Sequence, residues 1–76
     1  MAHKSKSSLK RAKDNAKSEQ HYAAGVSENA RYFFRQGFMD DAVAMQKESA
    51  RAYATARSYL FQAIRIKHQQ GNNSNG

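Results

Sequence analysis

The side chains best suited to acid–base or metal chemistry are few and scattered in this chain. Asp40 and Asp41 are the adjacent carboxylates, but neighbours in sequence do not face one another on a helix. None of His3, His21 and His68 lies three or four residues from another His or a carboxylate, the spacing that ligands on one helix need. The pattern predicts no enzyme activity, no catalytic residue, no metal site and no cofactor.

Cationic side chains are the chain's main chemical feature. Thirteen Lys and Arg outnumber six Asp and Glu, which gives a net charge of +7, and both ends of the sequence are more basic than its middle. Clustered cations bind phosphates by releasing counterions, without a precise geometry. We therefore expect a protein that binds nucleic acid, RNA ahead of DNA, through its basic N-terminal segment. The candidate phosphate contacts are Lys4, Lys6, Lys10, Arg11, Lys13, Lys17, Arg65 and Lys67.

Residues 6–17, KSSLKRAKDNAK, resemble the opening of the bacterial small-subunit ribosomal protein numbered twenty. That resemblance implies a helical bundle that binds ribosomal RNA through a basic first helix. It ends at Lys17, because residues 18–30 lack the basic continuation of that family and no third helix follows Ile66.

Residues 30–42 resemble the turn of tetratricopeptide-type hairpins, which bind peptides. The resemblance is carried by Phe33, Gly37 and Phe38. It supports a hairpin, but stable arrays of that type need at least about three repeats, and only one is present here.

Two long helices must position these side chains, because small and apolar residues recur in steps of three and four. The first seam consists of Leu9, Ala12, Ala16, Glu19, Ala23, Val26, Ala30, Phe33 and Gly37. The second consists of Ala42, Met45, Ser49, Ala52, Ala56, Tyr59, Ala63 and Ile66. The sequence therefore predicts an all-α fold, an antiparallel two-helix hairpin with an Ala-rich seam like that of a coiled coil.

A short turn is predicted at residues 37–40. Gly37 can adopt the left-handed conformation that ends a helix, and Asp40 can cap the next helix. Because a short connection makes consecutive helices antiparallel neighbours, we expect Phe33 near Met45.

The predicted organisation is one helical hairpin with flexible ends. The helices are predicted at residues 9–36 and 41–69, since the chain contains no Pro to break them. Residues 1–8 are predicted to form a basic flexible arm, and residues 70–76 a disordered polar tail.

Large apolar side chains are left over at the edges of the two seams or outside them. A seam made mostly of Ala buries little area, and without Cys no disulfide can compensate for a small core. We therefore expect a homodimer, completed as a four-helix bundle, or docking on a partner. The alternative function is a protein–protein interaction module: an adaptor, assembly factor or inhibitor of a larger protein. The candidate interface residues are Tyr22, Tyr32, Phe34, Tyr53, Leu60, Phe61 and Ile64.

No apolar run approaches the roughly 18 residues that a membrane span requires. Residues 1–17 alternate Lys, Ser and Ala and lack the apolar segment of a signal peptide. The sequence therefore predicts no membrane association and a cytoplasmic location.

Overall fold

The chain folds into two long helices that pack against each other along a single interface. The structure, a computed structural model, describes the backbone of residues 2–75 and the side chains of residues 8–71. Helix α1 spans Ala2–Gln36 and helix α2 spans Met39–Asn75, with no strand in the described backbone. Residues 37 and 38 join the helices and reverse the chain. The predicted all-α hairpin is confirmed.

Alanine methyl groups fill the interface between the helices. Every seam position predicted from the sequence is buried or half-buried except Gly37 at the turn. Ala23 of α1 and Ala52 of α2 are each 0% exposed, and Val26 is the largest of the buried apolar residues described. Since methyl groups occupy little space, the two backbones can approach closely, but the apolar area removed from water is small.

Ser49 shows how closely the helices approach. Its buried hydroxyl donates a hydrogen bond of 3.0 Å to the backbone carbonyl oxygen of Ala23 on the other helix. A side chain as short as Ser can reach the opposing backbone only where the helices are nearly in contact. The bond also sets Ser49 opposite the turn of α1 that contains Ala23.

The turn is closed by backbone hydrogen bonds and by two aromatic rings. Gly37 has a φ of 86°, the left-handed conformation predicted for it. The Phe38 N–H donates to the Phe33 carbonyl at 2.9 Å and the Gly37 N–H donates to the Phe34 carbonyl at 3.1 Å, the Schellman pattern. The rings of Phe33 and Phe38 meet edge to face with centroids 6.4 Å apart. This contact covers the end of the seam.

The turn is shorter than predicted, and Asp40 does not cap α2. The Phe38 carbonyl accepts the first helical hydrogen bond, from the Ala42 N–H at 2.9 Å, so α2 begins at Met39. Because Phe38 also closes α1, only two residues are left for the connection. Asp40 and Asp41 lie in the first turn of α2 instead, where carboxylates complement the helix dipole.

Both helices also extend beyond their predicted outer ends. α1 begins at Ala2 instead of Leu9, and α2 continues to Asn75 instead of ending at residue 69. Gly71 lies within the helix and lacks a positive φ. Glycine weakens a helix by about 1 kcal/mol without forbidding it, whereas proline would break it. The flexibility assigned to residues 1–8 and 70–76 stays a prediction, and Met1 and Gly76 lie outside the described residues.

The result is a thin rod with principal extents of 59 × 15 × 12 Å. One end is closed by the turn, and the other is open, where the two chain ends meet. We call the half of the rod that contains residues 8–19 and 56–71 the open half, and the remainder the closed half.

Candidate interaction surfaces

Two long faces flank the seam, and their composition differs. The first, called the groove face, lacks Asp and Glu among its described residues and carries most of the exposed large apolar side chains. In α1 it consists of Lys10, Lys13, Lys17, Gln20, Ala24, Ser27, Arg31 and Phe34. In α2 it consists of Met39, Val43, Gln46, Ala50, Tyr53, Arg57, Leu60, Ile64 and Lys67.

The second face, called the network face, is mostly polar. In α1 it consists of Arg11, Asn15, Ser18, Tyr22, Gly25, Asn29 and Tyr32. In α2 it consists of Ala44, Glu48, Arg51, Thr55, Ser58, Gln62 and Arg65.

A concave groove lies between the helices in the closed half of the groove face. Its volume is about 730 Å³, and its lining is predominantly apolar. Phe34, Met39 and Val43 form its large apolar walls, and each is more than half exposed. Arg31, Arg35 and Lys47 stand at its margins, the buried Ala30 and Ala42 form the floor, and the exposed Ala50 also lines it. The groove exists because the Ala seam draws the helices together while larger side chains project beside it.

Four of the predicted phosphate contacts lie together on the groove face of the open half. Lys10, Lys13 and Lys17 follow one another on α1, and the hairpin topology places Lys67 of α2 in the same half. All four side chains are exposed. Arg57, which sequence reasoning left out of the candidate list, occupies the same face.

The remaining predicted phosphate contacts are not part of that cluster. Arg11 and Arg65 are exposed on the network face, at about the same height of the hairpin as each other. The side chains of Lys4 and Lys6 lie outside the described residues.

The predicted interface residues are divided among three surfaces. Phe34, Tyr53, Leu60 and Ile64 lie on the groove face, and Tyr22 and Tyr32 lie on the network face. Phe61 points away from the seam and is 66% exposed. The predicted interface residues therefore do not form one patch, and the groove face carries four of the seven.

Sequence reasoning missed Met39 and Val43 as binding-surface candidates. The signal was present, because Met39, Val43, Gln46 and Ala50 repeat the four-and-three spacing one residue beyond the seam. This second stripe becomes a groove wall only when Phe34 of α1 stands opposite it.

A polar network ties the two helices together on the network face. Arg51 donates two hydrogen bonds to Glu48, from Nε at 2.7 Å and from Nη2 at 2.8 Å, and the pair is partly exposed. The Tyr22 hydroxyl of α1 donates to Glu48 Oε2 at 2.7 Å across the interface. Glu48 is therefore held by partners from both helices.

The network shifts the pKa values of its members. The hydrogen bonds from Arg51 and then from Tyr22 lower the pKa of Glu48 from 4.5 to about 2, because they favour the carboxylate. The same carboxylate raises the pKa of Arg51 and that of Tyr22, chiefly through the hydrogen bonds. Near neutral pH, Glu48 and Arg51 are therefore charged and Tyr22 is neutral.

Glu19 is the one acidic side chain within the seam. It is half-buried, and its Oε2 atom is buried without a hydrogen-bond partner among the described residues. A buried carboxylate oxygen without a partner opposes folding. Its charge nevertheless contributes to the raised pKa of Arg51, so the carboxylate is not electrostatically isolated at the border between the open and closed halves.

The described side chains contain no group of three His, Asp or Glu placed to hold a metal ion. No described helix is long and apolar enough to cross a membrane. Comparisons with models of known protein families, with curated proteins and with solved structures find no match to the chain. The resemblances of residues 6–17 and 30–42 therefore remain likenesses of single segments.

Proposed function

We propose that this chain is a noncatalytic, cytoplasmic protein that binds nucleic acid through phosphate contacts from its open half. RNA is placed ahead of DNA because residues 6–17 resemble the basic opening of a ribosomal RNA-binding family. The contacts come from Lys10, Lys13, Lys17 and Lys67, with Arg57 beside them.

The observation that carries the proposal is the separation of charge along the rod. The described open half contains seven Lys and Arg residues, and its only acids are Asp14 and the seam residue Glu19. The other acids, Glu28, Asp40, Asp41 and Glu48, lie in the closed half. Such an accumulation of one charge sign raises the local concentration of polyanions and steers them to that end.

The spacing of the cations suits a phosphate backbone. With a rise of about 1.5 Å per residue, Lys10, Lys13 and Lys17 span about 10 Å on one side of α1. A duplex carries one phosphate per about 1.7 Å of its axis, so several phosphates lie within reach. Exposed lysines offer charge without base readout, and the expected binding is therefore salt-sensitive and independent of sequence.

Fluorescence anisotropy with a short unstructured RNA and with RNA and DNA duplexes tests the proposal. We expect binding at about 50 mM salt that weakens steeply by about 200 mM, with a slope of log K against log salt near −3. Replacing Lys10, Lys13 and Lys17 together with Gln should weaken binding and reduce the magnitude of the slope by about 2 to 3.

A matched variant replaces Arg31, Arg35 and Lys47 with Gln. It has the same net charge as the lysine variant, but its changes lie in the closed half. We expect it to bind nucleic acid almost as the unaltered chain does. Equal losses in both variants would overturn the assignment to the open half, and no binding at low salt would overturn the function.

A second candidate function is a protein–protein interaction module, and the groove between Phe34, Met39 and Val43 favours it. Soluble chains rarely expose apolar side chains together unless the patch has a role. On this proposal, a larger protein docks on the groove face.

Self-association into a four-helix bundle also stays a proposal. The small Ala seam supports it, because helical domains of this size often need a partner for stability. Light scattering on the purified chain distinguishes the 8.6 kDa monomer from a dimer of twice that mass.

A further inference from the structure

We propose that the groove beside the turn binds an acidic amphipathic helix of another protein, which completes a three-helix bundle. The inference assigns a site and a partner class to the second candidate function, and it rests on that function. It is independent of nucleic-acid binding, because the groove lies in the closed half.

The shape of the groove fits a helix. Two antiparallel helices in close contact leave a trough along their common face, and a third helix is the element that fills such a trough. The lined stretch of α2 runs from Met39 to Ala50, about 16 Å at 1.5 Å per residue. An occupant of about three turns matches this length. Its apolar residues, spaced three and four apart, would contact Phe34, Met39 and Val43.

The charge of the groove selects an acidic occupant. Arg31, Arg35 and Lys47 stand at its margins, and none of the three has an ion-pair partner among the described side chains. The groove face carries no acid along its described length. Carboxylates beside the apolar stripe of the incoming helix would supply the missing counter-charges.

The same charges disfavour the other occupants. A second copy of this chain would bring Arg31 and Arg35 against an equally basic face, which costs free energy. Anionic lipid would satisfy the charges, but a concave trough fits a flat bilayer surface poorly. Nucleic acid would leave Phe34, Met39 and Val43 without apolar contacts.

Three synthetic peptides of about 14 residues test the inference on the full chain. The first has Leu at helical spacing and Glu elsewhere; the second has the same Leu with Lys in place of Glu; the third is a scrambled version of the first. Anisotropy of labelled peptides gives the affinities, and amide chemical shifts locate the site. We expect the acidic amphipathic peptide to bind with shifts around Phe34, Met39 and Val43, the scrambled peptide at least about tenfold more weakly, and the basic peptide not at all.

Phe34 and Phe61 provide a matched pair of variants. Both rings are exposed, at 60% and 66%, but only Phe34 lines the groove. Neither change should unfold the chain. We expect Phe34→Ala to weaken binding of the acidic peptide about tenfold and Phe61→Ala to leave it unchanged. The Arg31, Arg35 and Lys47 variant should lose the peptide, whereas the Lys10, Lys13 and Lys17 variant should retain it.

The remaining outcomes distinguish failure of the acidic-helix site from failure of the protein–protein interaction function on which it rests. Binding of the basic or scrambled peptide at Phe34 would overturn the acidic partner and leave a protein-docking groove. No binding by any peptide would overturn both. If the chain forms a dimer and Phe34→Ala dissociates it, the groove binds a second copy. If the chain floats with vesicles containing about one-third phosphatidylserine and Phe34→Ala abolishes this flotation, the groove binds a membrane.

Discussion

The seam and the groove face reverse the usual relation between side-chain size and burial. Among the side chains that the structure describes, the buried apolar residues between the helices are Ala and one Val, with Ala23 and Ala52 0% exposed. On the groove face, Phe34 is 60% exposed and Ile64 is 64% exposed. Proteins usually bury their large apolar residues first. Here the fully buried seam positions hold small residues, the larger seam residues are half-buried, and other large apolar residues face solvent on the groove face.

The difference separates stability from binding. A seam of methyl groups tolerates little added volume, because the opposing helix lies directly behind each Ala. The groove face has open space, so larger side chains fit there without a shift of the backbone. We therefore expect substitutions in the seam to act on folding and substitutions on the groove face to act on partners.

The sharpest test of this separation is the same substitution at two nearby positions. Ala52→Leu puts three more carbons where no exposed surface is left, so the helices must separate or the side chain must adopt a strained rotamer. We expect a loss of about 1–3 kcal/mol in the free energy of unfolding. Urea denaturation followed by circular dichroism measures it.

Ala50→Leu is the control, because Ala50 is exposed on the groove face two residues away. We expect its unfolding free energy to lie within about 0.5 kcal/mol of the unaltered chain. Equal destabilisation by the two substitutions would contradict the contrast between seam and groove face.

Substitution of Gly37 tests the turn, which sets the register of the two helices and therefore both the seam and the groove face. Gly37 has a φ of 86° and no atom within 4 Å of an added Cβ, so Gly37→Ala would suffer backbone strain without a clash. We expect a loss of about 1–2 kcal/mol. Gly25→Ala is the control, and its expected effect on stability has the opposite sign. Gly25 lies within α1 with open space around it, so Ala should stabilise the chain by about 0.5–1 kcal/mol. Losses in both variants would show that glycine at residue 37 has no special role.

The seam and its register could be predicted from the sequence because their cause is local. Ala16, Ala23 and Ala30 recur every seven residues, and a helix turns such a repeat into one face. Gly37 marked the end of α1 for an equally local reason, the left-handed backbone that other residues avoid. The predicted helix cap at Asp40 was wrong, because the backbone hydrogen bonds of Phe38 close α1 and start α2 two residues earlier.

The groove could not be predicted in the same way, because it depends on two helices at once. Met39 and Val43 resemble ordinary residues near the start of a helix until Phe34 stands opposite them. The depth of the trough depends on how closely the backbones approach, which the Ser49 hydrogen bond reveals and the spacing of residues does not. The Tyr22–Glu48 contact likewise joins residues 26 positions apart.

The smallest expected effect is on the network face. It measures how much stability the polar contacts add to that of the seam. The pKa of Glu48 is lowered from 4.5 to about 2, so the folded chain binds a proton there less readily than the unfolded chain. Its contribution to stability is therefore present above pH 4.5 and is lost as the pH falls toward 2. Because the Glu48–Arg51 pair is partly exposed, salt should reduce this contribution further.

Glu48→Gln isolates that contribution. The difference in unfolding free energy between the unaltered chain and the variant should shrink as the pH falls from 4.5 toward 2, and high salt should diminish it at every pH. Glu28→Gln removes the same charge from an exposed position without a described hydrogen bond, and it serves as the control for the loss of charge alone. If Glu48→Gln destabilised the chain as much as Ala52→Leu does, the polar network and not the alanine seam would be the principal source of stability.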